Sequence, residues 1–210
     1  MLGIHPYLES LLRDEIPYLC LGPDGMLKAT ATRPQALLCG SFNPLHAGHL
    51  LLLKVAERKL ALPVEFELAL RNADKDSIGV GETERRLGQF HGHRPVWLTA
   101  KPKFVEKARL FPATIFVMGA DTAERIVQPR FYRGEVRCRD DALAELRDKG
   151  CWFLVAGRID SNGKFQGLES IEIPSQFSEL FIPISEAECR LDLSSTVLRR
   201  SGPDDQVSHR

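Results

Sequence analysis

Cysteine is scarce here and does not pair up. Only five occur in 210 residues, an odd number, at Cys20, Cys39, Cys138, Cys151 and Cys189. None forms Cys-x-x-Cys, which argues against a disulfide scaffold and a cysteine zinc site and favours a reducing compartment. No apolar run approaches the roughly 20 residues needed to span a bilayer. Residues 1–13 lack a basic start followed by an apolar stretch, so a cytoplasmic location is expected. There is no excess of charge of either sign, since Lys+Arg and Asp+Glu both number 28. That removes the electrostatic case for general nucleic-acid or membrane-surface binding and leaves homo-oligomerisation open. Internal repeats, low-complexity tracts and any Ser-His-Asp or Cys-His arrangement are also missing, so no covalent nucleophile is expected.

What is present reads as an ordinary globular chain, 43% hydrophobic and 27% charged, long enough for one substantial core. Short apolar runs alternate with amphipathic ones. Strands are expected at Ala36–Gly40, Val64–Leu70, Pro95–Thr99, Ala113–Met118, Trp152–Gly157 and Leu180–Pro183. Helices are expected at His46–Leu60, Glu82–Phe90, Phe104–Leu110, Asp121–Val127, Asp140–Lys149 and Ser194–Arg200. Strands this apolar, alternating with helices, predict an α/β, Rossmann-like, doubly wound parallel sheet with helices on both faces. Residues 35–200 would form this domain. Residues 1–34 would add a short helix (Tyr7–Leu12) and a hairpin (Tyr18–Leu21, Met26–Ala29), an extra edge or packing appendage. Residues 201–210 would be a flexible tail, and Ile159–Gly167 a surface hairpin or turn.

The most informative stretch is Cys39-Gly-Ser-Phe-Asn-Pro-Leu-His-Ala-Gly-His49. An apolar strand runs into a Gly/Pro turn and then a leucine-rich helix. Such a turn aims backbone N–H groups and the positive helix end at one spot, which suits a phosphate. His46 and His49, three apart, would share a helix face and reach it together. Gly48 would let a nucleotide approach the backbone, Gly40 would end the strand sharply, and Pro44 would hold the turn.

Gly40, Ser41, Phe42, Asn43, Pro44, His46, Gly48 and His49 together resemble the signature of the nucleotidyltransferase superfamily. Two later stretches match in the same order. Met118-Gly-Ala-Asp121 is similar to the Gly-x-Asp loop of nicotinamide and nicotinate mononucleotide adenylyltransferases. Ser194-Ser-Thr-Val-Leu-Arg199 is similar to the superfamily's C-terminal motif. Asn72-Ala-Asp-Lys75, with Gly119–Ile126, resembles a branch described as cytidylyltransferase-like.

The resemblance implies transfer of a nucleotidyl group, adenylyl from ATP ahead of cytidylyl from CTP, to a phosphorylated small molecule, nicotinamide or nicotinate mononucleotide ahead of others, releasing pyrophosphate. It implies His46, His49 and Arg199 as catalytic groups, with nucleotide held by Gly40, Ser41, Phe42, Asn43, Gly48, Gly119, Asp121, Ser194, Ser195 and Thr196. Asn72 and Lys75 would meet the acceptor. Adenylyltransferases acting on pyridine mononucleotides carry a stacking Trp where Pro129 stands here, so Phe131 or Tyr132 would have to replace it. Mg²⁺ would bridge phosphate oxygens with few protein ligands. Phosphopantetheine, phosphocholine-type and sugar-phosphate acceptors stay open, as does a nucleotide-binding sensor. Class I aminoacyl-tRNA synthetases share the strand-turn-helix logic but are disfavoured by length, neutral charge and Ser-Ser-Thr where a lysine-rich loop would sit.

Other constellations have plainer readings. Asp121-Thr-Ala-Glu124 fits a helix capping box as well as a ribose contact, and Ser194-Ser-Thr fits an N-cap as well as a triphosphate contact. Lys75 reads equally as a solvated charge. His91 and His93 have metal-like spacing but no third ligand nearby, which favours a turn. Trp97 lies inside an apolar strand and should pack in the core. Lys101, Lys103 and Lys107 are expected to form a solvated face.

Overall fold

Ten apolar strand positions on the central sheet are wholly inaccessible, among them Leu37, Phe66, Leu68, Phe116 and Val117, as a sheet covered on both faces requires. The computed structural model describes residues 3–28, 32–71, 78–159 and 164–188. Strands β1 (Leu19–Leu21), β2 (Ala36–Gly40), β3 (Glu65–Ala69), β4 (Val96–Thr99), β5 (Ile115–Gly119) and β6 (Trp152–Ala156) alternate with helices. A two-stranded ribbon follows, β7 (Arg158–Ile159) with β8 (Phe165–Gln166), and then β9 (Phe181–Ile184). The helices are α1 (His5–Leu12), α2 (Ala47–Leu60), α3 (Val80–Leu87), α4 (Phe104–Leu110), α5 (Ala120–Val127) and α6 (Val136–Asp148).

The main sheet has seven strands in the order β1-β4-β3-β2-β5-β6-β9. All neighbours are parallel except β1, which runs antiparallel along β4. Alternate strand residues face two separate cores. Leu38, Phe66, Leu68, Leu98 and Val117 pack with α1, α2 and α3. Leu37, Trp97, Phe116, Met118 and Phe153 pack with α4, α5 and α6 on the other face. The doubly wound α/β architecture is therefore observed. Winding proceeds outward from β2 through β3 to β4, then returns past β2 to β5. The order reverses between β2 and β5, where doubly wound sheets bind ligands beyond the strand carboxyl ends.

The six expected strands form within a residue or two of their predicted bounds. Four helices start earlier than expected, α1 at His5, α3 at Val80, α5 at Ala120 and α6 at Val136. The first turn of α3 is Val80-Gly81-Glu82, and α6 begins at Val136 after Arg133 and Gly134 turn the chain with positive φ. The N-terminal segment supplies β1 as an edge of the main sheet. Trp97 is 1% exposed and its indole N–H donates to Glu65, as a core residue with one polar atom to satisfy. His91 and His93 lie in the turn after residues 88–90, and among the described residues no group of three potential ligands could hold a metal. No described helix is long and apolar enough to cross a membrane.

The expectation of a solvated lysine face is corrected at Lys107. Its side chain is 5% exposed and lies 2.6 Å from Glu67, whose own side chain is fully buried. The reason is register. Glu67 sits opposite Cys39 and Trp97 on the face covered by α4, so its carboxylate needs a cation from that helix. Thr99 donates to its other oxygen at 2.7 Å. Burial is the largest influence and opposes the Lys107 charge, but Glu67, Cys39 and Glu106 together outweigh it and hold the ammonium pKa above its ordinary value. Lys101 is half-buried on Asp14, and Lys103 is exposed at the start of α4.

Candidate active site

Gly40 ends β2 and Gly119 ends β5, so both motif loops leave the sheet at the reversal point. The β2 loop is built around Phe42. Its φ is +43° and its ring is 1% exposed, folded back beneath the turn against Phe66, Phe90 and His49. Gly40 is needed for that fold-back, because a Cβ there would lie 2.9 Å from the Phe42 ring. The Asn43–Pro44 peptide is cis.

His46 is extended (φ −135°) and serves as N-cap of α2, so the helix starts at Ala47 rather than at His46 itself. His49 lies in the first turn. The two rings stack with centroids 3.8 Å apart, more intimate than two residues merely sharing a helix face. The His46 backbone N–H donates to His49 Nδ1 at 3.3 Å. With Nδ1 accepting, the neutral imidazole carries its proton on Nε2 and can donate from there. Burial, with His46 beside it, lowers the His49 pKa to about 4, so the ring is neutral at pH 7. Gly48 has a reason within the chain as well, since a Cβ would press on the His46 ring at 3.1 Å.

Three residues that sequence reasoning missed hold this loop in place. Arg86 donates to the Ser41 carbonyl at 2.8 Å, and Arg85 to Asn43 Oδ1 at 2.7 Å. Gln89 donates to the Phe42 carbonyl at 3.1 Å and accepts from the Leu45 N–H at 2.8 Å. Glu82 steers both arginines, and its hydrogen bonds from Arg85 and then Arg86 lower its carboxyl pKa to about 2. The available signal was Glu82-x-x-Arg85-Arg86, which by spacing alone reads as helix-surface ion pairs. The loop's own carbonyls are the partners that spacing could not reveal.

The capping-box alternative for Asp121 is not what forms. Gly119 is the N-cap of α5, with no side-chain cap, and the exposed Asp121 carboxylate meets Arg158 at 3.1 Å. Gly119 has φ −83°, and a Cβ there would meet nothing within 4 Å. Nothing within the described protein demands glycine at that position.

Beside the end of β2, against α4 and α5, lies a cavity of about 250 Å³ reached by Ser41, Phe104, Thr122 and the cationic Arg71, Lys107 and Arg125; His46, His49, Gly119 and Asp121 do not line it. Among the described residues no carboxylate lines it. Phe131 and Tyr132 do not line it either. The Tyr132 hydroxyl donates to the Ile126 carbonyl at 2.9 Å, and burial raises its pKa to about 12. The Phe131 ring has the Arg130 guanidinium 4.8 Å and the Arg125 guanidinium 5.9 Å from its centroid. Asn72, Lys75, Ser194, Ser195, Thr196 and Arg199 lie outside the described residues, as does the helix expected at Ser194–Arg200.

A family model described as cytidylyltransferase-like matches residues 37–201, from the second residue of β2 to beyond the third motif. No curated protein matches the chain significantly.

Proposed function

The chain belongs to the cytidylyltransferase-like family, and from that premise we propose that it moves a nucleotidyl group, from ATP first and CTP second, onto a phosphate-bearing acceptor. Nucleotidyl transfer is what the family supports in general. An adenylyl donor and a nicotinamide or nicotinate mononucleotide acceptor are our more specific reading.

The observations that support the proposal are a neutral His49 donor in the first turn of α2, after β2, and a Gly119 that packing does not require, at the end of β5, the two strands that flank the reversal point. His49 is a neutral donor in the first turn of α2, its proton placed on Nε2. Gly119 opens the facing loop to a ligand, though no neighbour in the protein requires glycine there. In this reading Asp121 accepts the ribose hydroxyls, and the Ser41 and Phe42 amides face the transferring phosphate.

An acceptor phosphate is largely dianionic at neutral pH, its second pKa being near 6. It needs no general base. One of its oxygens attacks the α-phosphorus and forms a new P–O–P bond. The bond from the α-phosphorus to the α–β bridging oxygen breaks, and pyrophosphate leaves with that electron pair. His46 and His49 donate to phosphate oxygens as charge moves outward, and Ser195, Thr196 and Arg199 clamp the β- and γ-phosphates. Mg²⁺, when bound, neutralises the triphosphate.

A second reading replaces the acceptor. Tyr132 is engaged with Ile126, and neither it nor Phe131 lines the cavity. That geometry supports a phosphorylated acceptor without a pyridine ring. The test is pyrophosphate release from ATP and CTP with nicotinamide mononucleotide, nicotinate mononucleotide, phosphopantetheine and phosphocholine. Release from ATP with a pyridine mononucleotide supports the first reading. Release only with another pair supports the second. Nucleotide binding without release across the panel would overturn both and favour a sensor.

A further inference from the structure

One of the cations in the cavity beside Ser41 is held by residues from outside the family-matched region. Arg71 follows β3 and lines the cavity wall. Its Nη1 donates to Asp14 Oδ2 at 2.8 Å, and its Nη2 donates to the Leu12 carbonyl. Asp14 and Leu12 both belong to the N-terminal segment. Asp14 has φ +58°, a left-handed turn that aspartate tolerates, at the point where α1 stops. Its other oxygen accepts from Lys101 at 2.8 Å, just after β4. One carboxylate thus ties together the chain beyond α1, β3 and β4 at the carboxyl edge of the sheet.

Resting on the transferase reading above, we infer that Arg71 binds the acceptor's anionic group in this cavity and that Asp14 is the positioning residue that aims it. A guanidinium offers five N–H donors in a rigid fork. Two are committed to the N-terminal segment, which sets the plane of the fork. Lys107 and Arg125 extend the same cationic lining, and Thr122 adds a hydroxyl. At about 250 Å³ the space lies below the usual range for drug-sized ligands. It suits the phosphate end of a compact acceptor. The N-terminal helix then has a function that its own residues do not announce. It holds acceptor specificity from outside the nucleotide-binding core.

The experiment uses the full chain with its nucleotide site filled by α,β-methylene-ATP, and in a second series by the CTP analogue. Inorganic phosphate and nicotinamide mononucleotide are titrated by calorimetry, with nicotinamide riboside as the phosphate-free control. Arg71→Ala should weaken binding of both phosphate probes by about 10–100-fold, the range for losing a charged hydrogen bond. Asp14→Asn should weaken it roughly tenfold, with Asp14→Glu restoring part. Nucleotide-analogue affinity should not change in any variant. Where an acceptor supports turnover, its KM should rise in Asp14→Asn while kcat and nucleotide KM stay fixed. No phosphate binding by the wild type, equal binding by all variants, or a parallel loss of nucleotide affinity would overturn the inference. Arg71-dependent binding without pyrophosphate release would instead sink the transferase reading and leave this one standing. Turnover indifferent to Arg71 and Asp14 would do the reverse.

Discussion

Replacing Lys107 by methionine should be the most damaging single change on the α4 face. Methionine keeps the length and apolar stem of the lysine, so packing is nearly preserved. What is lost is the cation 2.6 Å from a carboxylate that is 0% exposed. Glu67 would retain only the Thr99 hydroxyl, at 2.7 Å. Removing one partner of a buried ion pair costs about 3–5 kcal/mol, because the other charge is stranded. For a chain of this size each kcal/mol moves Tm by about 2–4 °C, so Lys107→Met should lower Tm by about 6–20 °C. Replacing both partners, Glu67→Leu with Lys107→Met, removes the stranded charge and should recover most of that loss, as apolar substitutes for buried pairs commonly do. Thermal and urea unfolding followed by circular dichroism read both variants. The reasoning fails if Lys107→Met lies within about 1 kcal/mol of wild type, or if the double variant is no more stable than the single. The stable double variant should still bind acceptor poorly, since Lys107 lines the cavity.

Other perturbations separate binding from folding. Gly119→Ala should cost at most about 1 kcal/mol, the scale of an N-cap change, yet raise nucleotide KM tenfold or more; wild-type KM would show that the nucleotide passes elsewhere. Arg86→Ala leaves the Ser41 carbonyl without its 2.8 Å donor. It should cost about 1–3 kcal/mol and lower kcat together with kcat/KM, and unchanged kinetics would remove the loop-bracing role. His49 also makes stability depend on pH. Its folded pKa of about 4 lies below the ordinary 6.5, so between these values the unfolded chain binds more protons. Stability should be full above about pH 6.5 and fall as pH drops towards 4, by about 1–2 kcal/mol once partial exposure is allowed for. A His49→Gln variant should lose that part of the slope, seen as urea midpoints across the window.

Local signals carried far in this chain. Apolar runs such as Ala36–Leu38 and Trp152–Ala156 can be read as buried strands because both of their faces are covered. The Gly-Ser-Phe-Asn-Pro turn is legible because each residue answers a local demand, Gly40 making room for the Phe42 ring and His46 capping α2. What stayed hidden are charged residues whose partners are distant in sequence. Lys107 looked solvated because its neighbours Lys101 and Lys103 are polar, while its partner Glu67 lies a whole strand-helix unit away. Arg86 and Gln89 serve carbonyls more than forty residues upstream. Asp14 joins three segments that only the sheet order brings together. Asp121 shows the opposite error, because capping-box spacing was present and the chain used Gly119 as the cap instead.

The most direct test of the central claim follows the label in α-³²P-ATP and α-³²P-CTP, with the acceptor panel, for the wild type and His49→Ala. The account predicts that wild type moves the α-label onto an acceptor with one pyrophosphate released per product, and that His49→Ala is slower by about 10²–10³-fold with its fold intact. Orthophosphate release with the label left on the nucleoside diphosphate, or equal transfer by His49→Ala, would contradict it.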